Sequence, residues 1–438
     1  MASLTITPGR SLKGTMTVPG DKSVTHRAVI FTALAEGTSR VSRFCRGEDC
    51  LNTMRAFRAL GVRIDETADE VTVHGKGFWG LTEPNEPIDC GNSGTGIRLL
   101  AGLLAGQDFF TILTGDASIR RRPMGRVVKP LRNMGAVIAG RKGGELAPLA
   151  ITGSRLRGID YVSPVASAQV KSSLLLAGLF AEGTTRFQEP RLSRDHTERM
   201  FRFFGIHLEQ ERGTLTLHGR PAVGWGGRNV VIPGDFSAAA FFIVGAAIVP
   251  GSDITLRHVG INPTRTGLLD VMTRMGADVQ ILNRREEAGE PVADIRVKSA
   301  PLNGVTIGPE FIPQTIDEFP ILCVAAAVAH GDTVISGAEE LRVKESDRIA
   351  TMSAELKAMG AQISERPDGM VIHGLGTVGE NGRLQPSATG QSHGDHRVAM
   401  SLAIGALTAT AATTVADTGC VDTSFPGFES SLQALLTS

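Results

Sequence analysis

Residues 22–27 read Lys-Ser-Val-Thr-His-Arg and follow Pro19-Gly20-Asp21 directly. A Pro-Gly-Asp turn before an apolar run marks a helix start, which puts Lys22 and Arg27 in the opening turns. Cations there oppose the helix dipole at a penalty of roughly 0.3–1 kcal/mol, and a bound anion would reverse the sign. Two solvated surface cations are the plain alternative. The stretch Arg342-Val343-Lys344-Glu345-Ser346-Asp347-Arg348 raises the same question. On a helix, Lys344 and Arg348 would repel at i,i+4 by ~0.2–0.5 kcal/mol unless an anion lay between them. Glu345 and Arg348, at i,i+3, would make an ordinary surface pair. A third cluster, Arg120-Arg121-Arg122-Pro123, stands in a glycine-rich loop opening at Gly115-Asp116. Each cluster alone is weak; together they point to binding of small anions through locally gathered cations.

The elements that would carry these residues repeat. A helix, glycine, strand unit recurs as AFRALGVRI, PLRNMGAVI, FRFFGIHL, VMTRMGADV and ELKAMGAQI, around Gly61, Gly135, Gly205, Gly276 and Gly360. Subtracting the glycine positions gives intervals of 74, 70, 71 and 84 residues. In each, an amphipathic segment ends at a glycine suited to a left-handed cap, and a short β-branched run follows. The closing LQALLTS reads as a truncated sixth copy. In phase with this unit, a polar turn opens a small-residue apolar helix. The six openings are DKSVTHRAV, GNSGTGIRLL, SAQVKSSLLLAGL, GDFSAAAFFIVGA, IDEFPILCVAAAVA and GDHRVAMSLAIGAL. Pro19-Gly20-Asp21 returns as Pro233-Gly234-Asp235, three units later, so the chain reads as two halves of three βαβ-type modules, an α/β protein. Helices apolar on every side are buried. Their N-termini, with unsatisfied N–H groups, would converge as an anion site. The simpler reading is that these turns are only N-caps.

Composition limits the partners. The 438 residues suffice for two or three domains, and 45 Lys+Arg against 45 Asp+Glu leave a formal net charge of zero. Nucleic-acid binders carry a basic excess, so no nucleic acid is expected. No apolar run is long enough for a membrane span. The opening MASLTITPGR has neither basic leader nor apolar core, so no secretory signal is expected. Five scattered cysteines without a CxxC pair suit reduced thiols in a cytoplasmic protein.

The strings PGDKSVTHRA, GNSGTGIR, RPMGR, SAQVKSSLLLAG, SRDHTE, IDEFP, RVKESDR, DHRVAM and TSFPGF, in this order over residues 18–428, closely resemble the 5-enolpyruvylshikimate-3-phosphate synthase family. The resemblance implies a two-domain inverted α/β barrel, each domain built from three βαβαββ units. Residues 20–234 would form one domain, and 1–19 plus 235–438 the other. The active site would lie in the interdomain cleft, which closes on its substrates. The substrates implied are phosphoenolpyruvate and shikimate 3-phosphate, with no metal or organic cofactor and a monomeric, cytoplasmic enzyme. Carried over by motif, Lys22 touches both substrates. Ser23, Arg27, Ser167, Ala168, Gln169, Arg194, Asp317 and Lys344 would hold shikimate 3-phosphate. Asn92, Gly94, Thr95, Arg122, Gln169, Arg348 and Arg397 would hold phosphoenolpyruvate. Asp317 would be the base toward the 5-hydroxyl and Glu345 the proton donor to C3, with Lys22 as a further participant. Two phosphates and two carboxylates bring roughly −5 to −6 of charge. Lys22, Arg27, Arg122, Arg194, Lys344, Arg348 and Arg397 come close to balancing that.

Two departures from the family pattern stand out. A lysine common before the T/S-F-P string is absent from Val421-Asp422-Thr423-Ser424-Phe425-Pro426, and Asp195-His196 stands where some members have a tyrosine. SRDH and SAQ resemble the branch that includes glyphosate-tolerant enzymes, yet Gly94 stands where some tolerant members carry Ala, so glyphosate is expected to compete here. The rival UDP-N-acetylglucosamine enolpyruvyl transferase typically carries a cysteine on a mobile loop, and residues 114–126 have none. A phosphate cyclase of similar repeats is a further relative. GNSGTGIR lacks the GxxxxGK[ST] spacing of a P-loop. His393-Gly394-Asp395-His396 offers zinc-type ligands without a matching third. A non-catalytic scaffold would have no reason to keep Asp317 and Glu345 among clustered cations.

Overall fold

The computed structural model describes residues 2–68, 70–221, 224–376, 383–387 and 389–437. Its chain divides into two compact units. One comprises Met1–Pro19, Gly234–Arg285 and Pro291–Ser438; the other comprises Gly20–Pro233 with Glu286–Glu290. Each has a hydrophobic core of its own.

Six pairs of helices carry the repeat. In the Gly20–Pro233 unit these are α1 (Lys22–Ala33) with α2 (Glu48–Ala59), α3 (Gly94–Ala105) with α4 (Gly125–Asn133), and α5 (Ala168–Phe180) with α6 (His196–Phe204). In the other unit they are α7 (Phe236–Ile248) with α8 (Gly267–Met275), α9 (Phe319–Ala327) with α10 (Arg348–Ala358), and α11 (His396–Ala406) with α12 (Phe428–Leu435). The first of each pair is the small-residue apolar helix. Every residue of α7, α9 and α11 is buried. Glycine lets such helices pack closely: a Cβ at Gly102 in α3 would collide with the Ser173 carbonyl of α5.

One repeat shows the strand order. Ile88–Asp89 pairs in parallel with Phe110–Thr114, on the far side of α3 in sequence. Leu146–Thr152 pairs antiparallel with Phe110–Thr114 and with Val137–Gly140. The chain order is therefore βαβαββ, and a parallel pair joined through a helix is the crossover that such a helix permits. In the same unit Val230–Val231 supplies the leading strand to Glu36–Ser42. In the other unit the chain start closes the third sheet, with Ser3–Ile6 antiparallel to Thr413–Ala416.

All five unit glycines lie in the left-handed region, with φ of 85° (Gly61), 97° (Gly135), 78° (Gly205), 97° (Gly276) and 84° (Gly360). The sixth copy is α12 running into Leu436–Thr437 without a glycine. One expectation fails. Lys344 and Arg348 are not a helical i,i+4 pair, because Asp347 caps the helix by accepting from Ala350 N and α10 begins at Arg348.

Candidate active site

In the Gly20–Pro233 unit, most of the singled-out residues fall in or near the first two turns of α1, α3 and α5, while Arg122 and Arg194 stand in loops before α4 and α6. Side-chain caps fix those turns: Asp21 accepts from Val24 N (2.8 Å), Ser93 from Gly96 N (2.9 Å) and Ser167 from Val170 N (3.4 Å). These turns are N-caps, and capping leaves the cations to be explained. Lys22, the first residue of α1, pairs with Asp49 of α2 at 3.0 Å. Arg27 is buried and donates to Thr197 Oγ1 (2.6 Å), the Ser23 carbonyl (2.9 Å) and Ser172 Oγ (2.7 Å). Burial pulls its guanidinium down to about 10; Glu198, Asp21 and Glu290 oppose that, while Arg194 adds to it. Arg27 stays charged at neutral pH with a second cation near enough to repel it. That arrangement is favourable when an anion is shared.

The starts of α3 and α5 are tied together. Gln169 Nε2 donates to Thr95 Oγ1 (3.1 Å), and Arg98 donates to Gln169 Oε1 (2.6 Å) and to the Pro123 carbonyl (2.9 Å). The last bond anchors the arginine loop beside Arg122. Arg120 and Arg121 lie exposed in a short turn, whereas Arg122 turns toward α3. A Cβ at Gly94 would stand 3.0 Å from Cζ, Nη1 and Nη2 of Arg122. Asn92 Nδ2 donates to Asp116 Oδ2 (2.8 Å). Ser23 and Ala168 occupy first-turn positions, and Arg194 lies half-buried just before α6.

The other unit holds a second cluster, centred on Arg348. This residue is almost fully buried and reaches Asp395 Oδ2 through Nε (2.9 Å), Glu345 Oε2 through Nη2 (2.7 Å) and Asp317 Oδ1 through Nη1 (3.4 Å). Burial works against its charge, but Asp395, Glu345 and Asp317 raise its pKa well above the usual value. The Glu345–Arg348 pair is therefore no surface pair. Arg397, in the first turn of α11, donates to the Asp317 carbonyl (3.1 Å) and stands 3.5 Å from Asp317 Oδ2. Asp395 caps α11 by accepting from Arg397 N (2.9 Å). Burial disfavours its charge, yet Arg348 and His396 hold its carboxyl below the usual range. Lys344 is lowered, chiefly by burial, with Arg348 adding to this and Asp317, Glu340 and Glu345 opposing. Two proposed proton-transfer groups and three cations thus share one cluster.

Sequence reasoning missed Asp49, Arg98 and Asp395 as partners. Arg98, inside an apolar run, carried a local signal, whereas Asp49 and Asp395 stand among polar residues, and only the fold shows what each one faces. The zinc-type string does not act as a unit: Asp395 serves Arg348, and His393 pairs with Glu355 at 2.8 Å. Among the described residues no group of three or more His, Cys, Asp and Glu is placed to hold a metal. No helix among them is long and apolar enough to cross a membrane.

A model of the EPSP synthase (3-phosphoshikimate 1-carboxyvinyltransferase) family matches residues 6–432. The chain belongs to the EPSP synthase family. The 3-phosphoshikimate 1-carboxyvinyltransferase of Geobacter sulfurreducens is 55% identical over 428 residues, covering 98% of each chain. That of Citrifermentans bemidjiense is 52% identical over 436 residues, covering 100% of each. The solved EPSP synthase of Acinetobacter baumannii superposes with a TM-score of 0.88 at 47% identity, covering 99% of this chain and 98% of that one. An enolpyruvyl transferase of Streptomyces tendae shares the fold at 18% identity and a TM-score of 0.80. Like other EPSP synthases, the chain transfers the enolpyruvyl group of phosphoenolpyruvate to shikimate 3-phosphate in the shikimate pathway. The fold is the two-domain inverted α/β barrel, and glyphosate is an inhibitor of this family.

Proposed function

We propose that residues of both clusters bind the substrates of this transfer and that the cluster around Arg348 also supplies its proton transfers. Lys22, Ser23, Arg27, Ser167, Ala168, Gln169 and Arg194 hold shikimate 3-phosphate, with Asp317 and Lys344 contributing. Asn92, Gly94, Thr95, Arg122, Arg348 and Arg397 hold phosphoenolpyruvate, with Lys22 and Gln169 common to both. The observation that carries the chemical assignment is Arg348, whose one guanidinium bonds both Asp317 and Glu345.

The 5-hydroxyl of shikimate 3-phosphate gives its proton to Asp317 as its oxygen bonds to C2 of phosphoenolpyruvate. Glu345 gives a proton to C3, and a tetrahedral adduct results. In the second half Glu345 takes a proton back from C3 as the bond from C2 to the phosphate oxygen breaks, and Asp317 returns its proton to the departing phosphate. Each proton transfer needs a group within hydrogen-bond reach, and such groups contribute about 10²–10⁴-fold in rate. Arg348 and Arg397 offset the donor's negative charge with planar donors suited to carboxylate and phosphate. The described cysteines are all free thiols, which suits a reducing cytoplasm.

Glu345→Gln keeps the shape and removes the proton. Both substrates should still bind in equilibrium titrations, while phosphate release should slow by about 10²-fold or more. Undiminished turnover in that variant would take Glu345 out of the role.

A further inference from the structure

Lys171, in the second turn of α5, is wholly buried, and it has no part in the assignments above. Its ammonium reaches Glu198 Oε1 at 2.8 Å, Glu189 Oε1 at 2.9 Å and the Ser193 carbonyl at 3.3 Å, so all three N–H donors are engaged. Glu189 Oε1 also accepts from Ser193 N at 2.9 Å. Both backbone polar groups of Ser193 are therefore pinned to one buried ion cluster. The next residue is Arg194.

The same cluster borders Arg27. Ser172 and Thr197, the chain neighbours of Lys171 and Glu198, bond each other at 2.7 Å, and both accept from the Arg27 guanidinium. Two adjacent links thus join α5 to α6, one ionic and one through hydroxyls, and the second orients Arg27. A buried ion triad gives little net stability over an apolar replacement. Its geometric value lies in fixing where charged neighbours stand. Among the described residues Glu189 Oε2 and Glu198 Oε2 have no hydrogen-bond partner, and a cavity of about 70 Å³ adjoins them. The ammonium is thus the group that these two carboxylates share.

We propose that Lys171 is a positioning residue for shikimate 3-phosphate: through Ser193 and the α5–α6 link it sets Arg194 and Arg27 for the anion. The inference rests on the substrate assignment of those two arginines. It touches no residue assigned to phosphoenolpyruvate alone, which makes the effect one-sided.

The test is steady-state kinetics of Lys171→Met and of Lys171→Met with Glu198→Gln, the second removing one of the two buried carboxylate charges that would otherwise threaten folding. In whichever variant folds, KM for shikimate 3-phosphate should rise about tenfold, as misplacement of a substrate clamp predicts. KM for phosphoenolpyruvate and kcat should stay within about threefold. Adding Arg194→Ala to either variant should raise KM for shikimate 3-phosphate by less than the product of the separate effects. An equal rise in both KM values, or no rise while Arg194→Ala alone raises KM for shikimate 3-phosphate, overturns the positioning role. If Arg194→Ala alone leaves that KM unchanged, the substrate assignment is what has failed, and the inference falls with it. Failure of both Lys171 variants to fold would make the triad a stability element and likewise overturn it.

Discussion

Gly94 and Arg122 are close enough that a side chain at position 94 requires Arg122 to shift. Cβ of an alanine would stand 3.0 Å from three guanidinium atoms, so Arg122 must move by a few tenths of an ångström or more. Gly94→Ala is expected to raise KM for phosphoenolpyruvate severalfold, and glyphosate, expected to compete at the same cations, should show a higher inhibition constant. Competition assays against phosphoenolpyruvate check both, and a variant with both constants unchanged would show that Arg122 does not face that ligand. Lys344 gives a second expectation at this scale. Burial lowers its pKa, so the charge it contributes is lost below lysine's ordinary value of about 10.4. The basic limb of kcat/KM for shikimate 3-phosphate should therefore begin early, and Lys344→Arg should move it to higher pH. An unmoved limb would assign it to another group. At the residue scale the sequence was informative about types and weak about partners. Arg348 could be picked out as an odd cation, but its bonds to Asp317 and Asp395 span 31 and 47 residues, which no local pattern encodes.

The elements were far more legible, because helix, cap and strand are written in short spacings. Gly61, Gly135, Gly205, Gly276 and Gly360 marked five helix ends correctly, since only glycine takes a positive φ there without strain. The start of α10 was misread because RVKESDR offers charges at helical spacing, while the cap at Asp347 depends on one hydrogen bond. Packing between elements yields a stability prediction. His26 in α1 sits fully buried against Thr53 of α2, Nδ1 to Oγ1 at 2.7 Å. Burial, then Lys22 and Arg27, lower its pKa to about 3. Between about pH 6.5 and 3 the unfolded chain therefore binds a proton that the native chain does not. Stability falls through that window as pH drops, by up to about 1.4 kcal/mol per pH unit from this group. His26→Gln should flatten the dependence of unfolding free energy on pH between 6.5 and 4.5 in urea titrations. An equally steep slope in the variant would place the acid sensitivity elsewhere.

At the scale of the whole chain, the three-unit halves were visible as a repeat, but how each half closes was not. Sheet closure is a long-range pairing, set by which edge remains open once local units have formed. Ser3–Ile6 shows the point: its partner strand is Thr413–Ala416, at the other end of the sequence. Leu4 and Ile6 from this strand are buried in the core of the Met1–Pro19, Gly234–Arg285 and Pro291–Ser438 unit. Thr5 Oγ1 meets Thr414 Oγ1 at 2.9 Å, and Thr418 N donates to the Ala2 carbonyl at 3.0 Å. Removing residues 2–7 would strip an edge strand and expose its neighbour, a liability in any open sheet. Burial of two aliphatic side chains is worth about 1.5–3 kcal/mol each. The truncated chain should therefore lose roughly 3–6 kcal/mol of unfolding free energy. It should also lower the urea midpoint of the unit it closes, while the Gly20–Pro233 core keeps its own. Two-step unfolding monitored by fluorescence at Trp79 and Trp225 isolates that second unit, since both tryptophans belong to it. A shift of the tryptophan transition with no loss of stability elsewhere would mean that the N-terminal strand supports the wrong half for this account.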